Sequence, residues 1–90
     1  MQIEFEWDEN KNDRNARKHG VQFEEAATVF LDPNSVTIFD NTHSIEENRY
    51  IDLGLSSEGR LLLVVYTERG SRIRIISARL CTAKEARLYD

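Results

Sequence analysis

Leu61-Leu-Leu-Val-Val-Tyr-Thr67, Glu68-Arg-Gly-Ser71 and Arg72-Ile-Arg-Ile-Ile-Ser-Ala-Arg79 decide how this chain folds. The first run is apolar at nearly every position, the pattern of a strand buried on both faces. The second contains a glycine and turns the chain, and the third returns as the partner strand. Alternation along that returning strand puts Ile73, Ile75, Ser77 and Arg79 on one face, and Arg72, Arg74, Ile76 and Ala78 on the other. Arginines therefore reach both faces of an otherwise apolar sheet. Thr82-Ala-Lys-Glu85 matches a capping box, in which a hydroxyl and a carboxylate three residues apart satisfy each other's backbone donors. A final helix is predicted from there through Arg87 and Tyr89.

Working outward, Ile3-Glu-Phe-Glu-Trp7 alternates apolar and acidic residues, as a strand with one wet face does at a sheet edge. Asp8 is a good N-cap and Gly20 a good C-terminal stop, so residues 9–19 form a helix between them. Its only apolar residue is Ala16. Asn12, Asn15, Ala16 and His19 share one side at helical spacing, and Lys11, Arg14 and Lys18 share another. Such a helix docks through hydrogen bonds, or is kept for its charges.

Phe23, Ala26, Ala27 and Phe30 then form the core stripe of a second helix, with Gln22 where a capping serine or aspartate would stand. Asp32-Pro-Asn34 ends that helix, and Val36-Thr-Ile-Phe39 reads as a strand. Asp40–Ser44 is a loop, Ser44-Ile-Glu-Glu47 a second capping-box match, and Arg49–Leu55 a strand turned by Ser56–Gly59 into Leu61–Thr67. Strands joined by short turns, with helices at both ends, predict an α+β fold on a mostly antiparallel meander, its helices packed on one face.

The 90 residues, 40% of them hydrophobic, suit one globular domain, 1–90. The lone Cys81 cannot form an intrachain disulfide and reads as a small residue beside a helix cap. No cysteine or histidine pair stands at ligand spacing, so no metal or other cofactor is expected. No leading basic segment, long apolar run or lipidation signal is visible, which points to the cytoplasm and away from a membrane. The net charge of −4 conceals an asymmetry. Residues 60–90 hold seven Lys/Arg against three Asp/Glu, and residues 1–59 hold five against thirteen. A cationic C-terminal third on an acidic body permits a local anion site and disfavours strong nonspecific nucleic-acid binding.

Phe5-x-Trp7-Asp8, Asn15-x-x-Lys18-His19-Gly20-Val21-x-Phe23-Glu24-Glu25-Ala26, Asp40-x-x-His43-Ser44, Arg49, Val64-x-Tyr66-Thr67-x-Arg69 and Ile73-Arg-Ile-Ile-Ser-Ala-Arg79 together resemble the BrnT family of toxins from type II toxin–antitoxin pairs. The resemblance runs in order from Phe5 to Tyr89. It implies a RelE-like fold, a metal-independent ribonuclease that arrests growth, and neutralisation by a BrnA-type ribbon-helix-helix antitoxin. The antitoxin, not the toxin, would contact DNA.

Cleaving RNA without a metal uses its own 2′-hydroxyl as nucleophile. The site must remove that proton, stabilise charge on phosphorus and protonate the departing 5′-oxygen. Guanidinium forks suit the second task. Arg74 and Arg79 come from one strand, Arg49 and Arg69 from the neighbouring strand and turn, and Lys18 adds a substrate-binding cation. Arg74 and Arg79 fall on opposite faces by alternation, so they converge only if the strand ends or bulges before Arg79. Arg79 also stands beside the capped helix N-terminus, where an anion is favoured. His19 is the leading proton carrier, because imidazole titrates nearest neutrality; His43, in the loop, is a second candidate.

Competing readings are structural. The arginines, Arg72 and Arg87 above all, could pair with the thirteen upstream carboxylates, His19 could cap its helix and bond Asn15, and His43 could be a surface residue. Tyr66 and Trp7 read as packing, Asp8 as a cap and Glu85 as part of its capping box. A module that binds an antitoxin without cutting RNA is the alternative function, and the acidic total favours it.

Overall fold

The computed structural model describes residues 3–40 and 47–89. His43 and most of the capping-box match at Ser44 lie outside these residues. The elements are β1 (Glu4–Glu6), α1 (Glu9–His19), α2 (Phe23–Ala27), a 3-10 turn (Thr28–Leu31), β2 (Val36–Phe39), β3 (Arg49–Leu55), β4 (Leu61–Arg69), β5 (Arg72–Leu80) and α3 (Ala83–Tyr89). The strands form a five-stranded sheet in the order β1-β5-β4-β3-β2. β2 to β5 pair antiparallel, whereas β1 lies parallel to β5 at the edge. The fold is α+β with a mixed sheet rather than a pure meander, because a helical crossover, not a hairpin, leads out of β1.

One face of the sheet holds the main core. Val21, Phe23, Ala26 and Val29 pack on Leu62, Val64, Ile75 and Ala78, all at most 1% exposed. An aromatic row crosses the same face, Phe5–Phe30–Tyr66–Tyr50–Phe39, with successive ring centroids 4.9–5.6 Å apart. Tyr66 is a core residue, as its setting in the sequence predicts, and its hydroxyl donates to the buried Asp52 at 2.9 Å. Trp7 likewise packs edge-on against Phe23. The stripe predicted for one long helix is split: α2 stops at Ala27 and tightens into the 3-10 turn that carries Phe30. Gly54 lets this turn approach β3, since a Cβ there would stand 2.7 Å from Val29 Cγ1.

The apolar-poor helix α1 does dock through hydrogen bonds. Asp8 caps it through Oδ1, accepting from the Asn10 and Lys11 N–H groups, and Gly20 ends it at φ 70°. The Asn12 carbonyl accepts the Phe23 N–H at 2.8 Å, so a side chain from α1 caps α2 in place of Gln22. Asn15, 7% exposed, does more. Its Nδ2 donates to Val21 O and to Ala78 O, both at 2.8 Å, while its Oδ1 accepts the Ala78 N–H at 3.1 Å. β1 pairs with β5 only as far as Arg74, so this amide takes the place of a missing strand at Ala78. Arg60 holds the end of α1, donating to Gly20 O and gripping Glu25 of α2.

α3 departs from the expectation that the helices share one face. Thr82 and Glu85 form the capping box, with 2.9 and 3.1 Å bonds. Glu85 also grips Arg79, whose cross-strand partner is Leu63 on the second face. At the other end of α3 the Tyr89 hydroxyl donates to Asp32, which also accepts the Leu55 N–H. This end of the second face is closed, with Leu53 1% and Leu63 8% exposed.

Two stability predictions follow from these contacts. Asn15→Ala leaves the Ala78 peptide group without its partners and should destabilise the fold by about 3 kcal/mol in chemical denaturation, against less than about 0.5 kcal/mol for the exposed Asn10→Ala. Bonding to Arg79 and the Thr82 N–H lowers the Glu85 carboxyl from 4.5 to about 2. A group whose folded pKa is depressed stabilises above its unfolded value and loses that contribution as pH falls through the folded one. The stability gap between the native chain and Glu85→Gln, followed by melting, should therefore be full above pH 4.5 and close as pH approaches 2.

Candidate functional site

β5 bulges at Ile76. Val65 faces Ser77, yet the next residue of β4, Tyr66, faces Ile75, so Ile76 has no opposite number. The extra residue reverses the phase of alternation. Ile73, Ile75 and Ala78 all belong to the core face, while Arg74, Ser77 and Arg79 pair with Thr67, Val65 and Leu63, alternate residues of β4, and so share the second face. Plain alternation had put Arg74 and Arg79 on opposite faces; the bulge is what corrects it.

Beside the bulge, α1 and β5 enclose an open groove of about 330 Å³. Lys11, Arg14, Lys18 and His19 line it from the helix, and Ile76 and Ser77 from the strand. His19 is half-buried and Lys18 exposed. The bond from His19 to Asn15 suggested by their spacing does not form, because the Asn15 amide is committed to Val21 and Ala78. His19 makes no hydrogen bond or ion pair among the described residues, so its imidazole is open to the groove.

The arginines are held differently. Arg74 donates to Glu6 of β1 at 3.0 Å through one Nη, leaving its other N–H groups uncommitted. Arg79 meets Glu85 through a two-pronged pair at 2.8 Å and also donates to Leu80 O. Arg69 and Arg49 converge on Glu47, at 3.2 and 3.8 Å. Arg72, left out of the expected site, meets Glu4 and Glu6. The arginine heads keep Glu6 and Glu85 below the usual carboxylate range, so both are charged near neutrality.

The six expected residues thus fall into two groups. Lys18 and His19 line the groove beside the bulge together with Ser77, which stands between Arg74 and Arg79 on the second face of the strand. Arg49 is in line with Thr67 and Arg74 across the sheet, two strand spacings or roughly 10 Å from Arg74. Arg69 pairs with Arg72 at the turn, farther from the bulge. Ser77 carries no local signal in the sequence, since only the cross-strand register reveals its place. The Lys11, Arg14 and Lys18 stripe is visible in the helical spacing, which by itself gives it no role. Among the described residues no three His, Cys, Asp or Glu side chains are grouped to hold a metal. The groove offers an ammonium and an imidazole, and the strand face that shares Ser77 with it carries the two guanidinium groups, residue types suited to holding a phosphodiester and moving a proton.

Comparison with known proteins bears on what this surface belongs to. The fold is similar to the crystal structure of the Brucella abortus ribonuclease toxin BrnT, with a TM-score of 0.68 and 24% sequence identity over 90% of this chain and 99% of that one. No curated protein matches the chain. A family model described as "Ribonuclease toxin, BrnT, of type II toxin-antitoxin system" matches residues 7–85, nearly the whole chain. With β2 to β5, α1, α2 and the Lys18-His19-Gly20 and Arg74–Arg79 segments inside that match, the chain belongs to the BrnT family of type II toxins.

Proposed function

We propose that this chain is a metal-independent endoribonuclease toxin of RelE-like type that cuts RNA at the β5 bulge. The observation that carries the reading is the phase reversal at Ile76, by which Arg74, Ser77 and Arg79 share a face beside the groove of Lys18 and His19. In this reading the 2′-oxygen bonds to the adjacent phosphorus as the bond to the 5′-oxygen breaks. The proton leaving the 2′-hydroxyl passes through the His19 imidazole to the departing oxygen. Arg74 and Arg79, with Lys18, stabilise the charge that builds on the phosphoryl oxygens, and Arg49 and Arg69 bind more distant parts of the substrate. The ion pairs to Glu6 and Glu85 hold the guanidinium heads in place and leave N–H groups for phosphate. The partner is a BrnA-type ribbon-helix-helix antitoxin, through which alone the toxin meets DNA. The setting is the cytoplasm, and no helix among the described residues is long and apolar enough to cross a membrane.

A second reading, a module that binds the antitoxin without cutting RNA, is favoured by the carboxylates on Arg49, Arg69, Arg74 and Arg79. One experiment separates them. Purified protein is incubated with RNA and a chelator, and the ends are analysed. The ribonuclease reading expects 2′,3′-cyclic phosphate or 3′-phosphate ends that persist under chelation. His19→Ala should slow their appearance by about 10²- to 10⁴-fold, and Arg79→Ala by about 10²- to 10³-fold. Cleavage that stops on chelation, or that ignores both substitutions, would overturn this mechanism. A protein that cuts nothing, is tolerated on expression and still binds its antitoxin fits the second reading.

A further inference from the structure

We infer that Lys11 and Arg14 extend the site along α1 as a binding track for the backbone of a single-stranded RNA. The inference rests on the ribonuclease reading and names residues outside the expected site. Three observations carry it.

The first is where unmatched positive charge lies. Arg49, Arg60, Arg69, Arg72, Arg74 and Arg79, on the sheet and its turns, each meet a carboxylate. Lys11, Arg14 and Lys18, like Arg17, Lys84 and Arg87, form no ion pair among the described residues; the capping Asp8, three residues before Lys11, is a nearby carboxylate that attracts Lys11 and Arg14 through space. Lys11 and Arg14 are three residues apart and Arg14 and Lys18 four, so like charges adjoin on one stripe, which disfavours the helix by a few tenths of a kcal/mol per pair.

The second is position. Lys18 stands in the last turn of α1, where the helix dipole favours a cation, but Lys11 stands in the first, where the dipole disfavours one. Docking of α1 does not depend on these side chains, since Asn12 and Asn15 anchor it. Asp8 offsets part of the cost of this stripe, and an anionic partner in the groove would offset the rest.

The third is continuity. The stripe lines the same groove as His19 and Ser77 and runs roughly 10 Å along the helix axis from Lys18 to Lys11, room for a pair of phosphates beyond the one at the bulge. A polyanion is favoured over a protein as occupant. Protein interfaces centre on apolar anchors, and the large exposed apolar residues, such as Ile38, Phe39, Leu55, Leu80 and Leu88, lie on other elements.

The test measures binding of a short 2′-O-methyl RNA oligonucleotide, which cannot be cut, by fluorescence anisotropy across a salt series. With Lys11→Gln/Arg14→Gln, two fewer phosphates are neutralised, so the slope of log affinity against log salt should flatten by about 1.4. The same counterion argument weakens binding about tenfold at 0.15 M salt. Lys11→Arg/Arg14→Lys should keep the native slope, and melting of the Gln variant should show no loss of stability. An unchanged slope, in a protein that cuts RNA, would overturn the track and leave the ribonuclease reading standing. Loss of antitoxin binding with an unchanged RNA slope would overturn it in favour of a protein partner. A flattened slope in a protein that cuts nothing would retire the nuclease and keep the track, and native protein that binds no RNA would end both.

Discussion

The side-chain amide of Asn15 against the peptide group of Ala78 is the contact on which most of this structure turns. β1 accompanies β5 only to Arg74, and beyond it the strand would present bare N–H and C=O groups at a buried edge. An asparagine amide carries a donor and an acceptor in nearly the geometry of a peptide, so it completes the ladder at that point. The same contact holds α1, which has almost no apolar surface of its own. It also sets the location of the next helical turn, because His19 follows Asn15 by four residues and so projects from the same side. Edge protection, helix docking and placement of the imidazole are one interaction.

The bulge at Ile76 works with that contact. An extra residue in β5 brings Arg74 and Arg79 to the face that the main core does not use, and it places Ser77 between them. Bulges are frequent where a strand must aim side chains that alternation alone would misplace. Here the bulged strand also meets the helix, and Ser77 belongs both to the groove between them and to the face that carries the arginines.

The charge distribution acquires meaning only in this frame. A chain of net charge −4 is a poor match for RNA in bulk. Much of the acidity is local, however, since Glu6, Glu25, Glu47 and Glu85 stand against sheet arginines and fix their heads. Partly exposed ion pairs of this kind add little stability, and their main consequence is orientation. Among the described residues the cations without an ion pair lie on helices, Arg17, Lys84 and Arg87 among them, and three of them form the stripe of α1 beside the bulge.

Much of the fold could be read from residue patterns, because it depends on local rules. Asp8 and Gly20 bracket α1, Thr82 and Glu85 open α3, the Leu61–Thr67 run makes the central strand, and the hairpin after it follows from Gly70. The residue types suited to phosphate chemistry were equally visible, as were two alternatives for docking α1. Periodicity carries no information about long-range pairing. It could not say that β1 would lie parallel to β5, that Asn15 would bond Ala78 across 63 positions rather than His19 four away, or that Glu85 would hold Arg79. The bulge escapes the sequence for the same reason. One unmatched residue is defined only by two strands in register, and that register, set by packing of the core face, decides which arginines stand together.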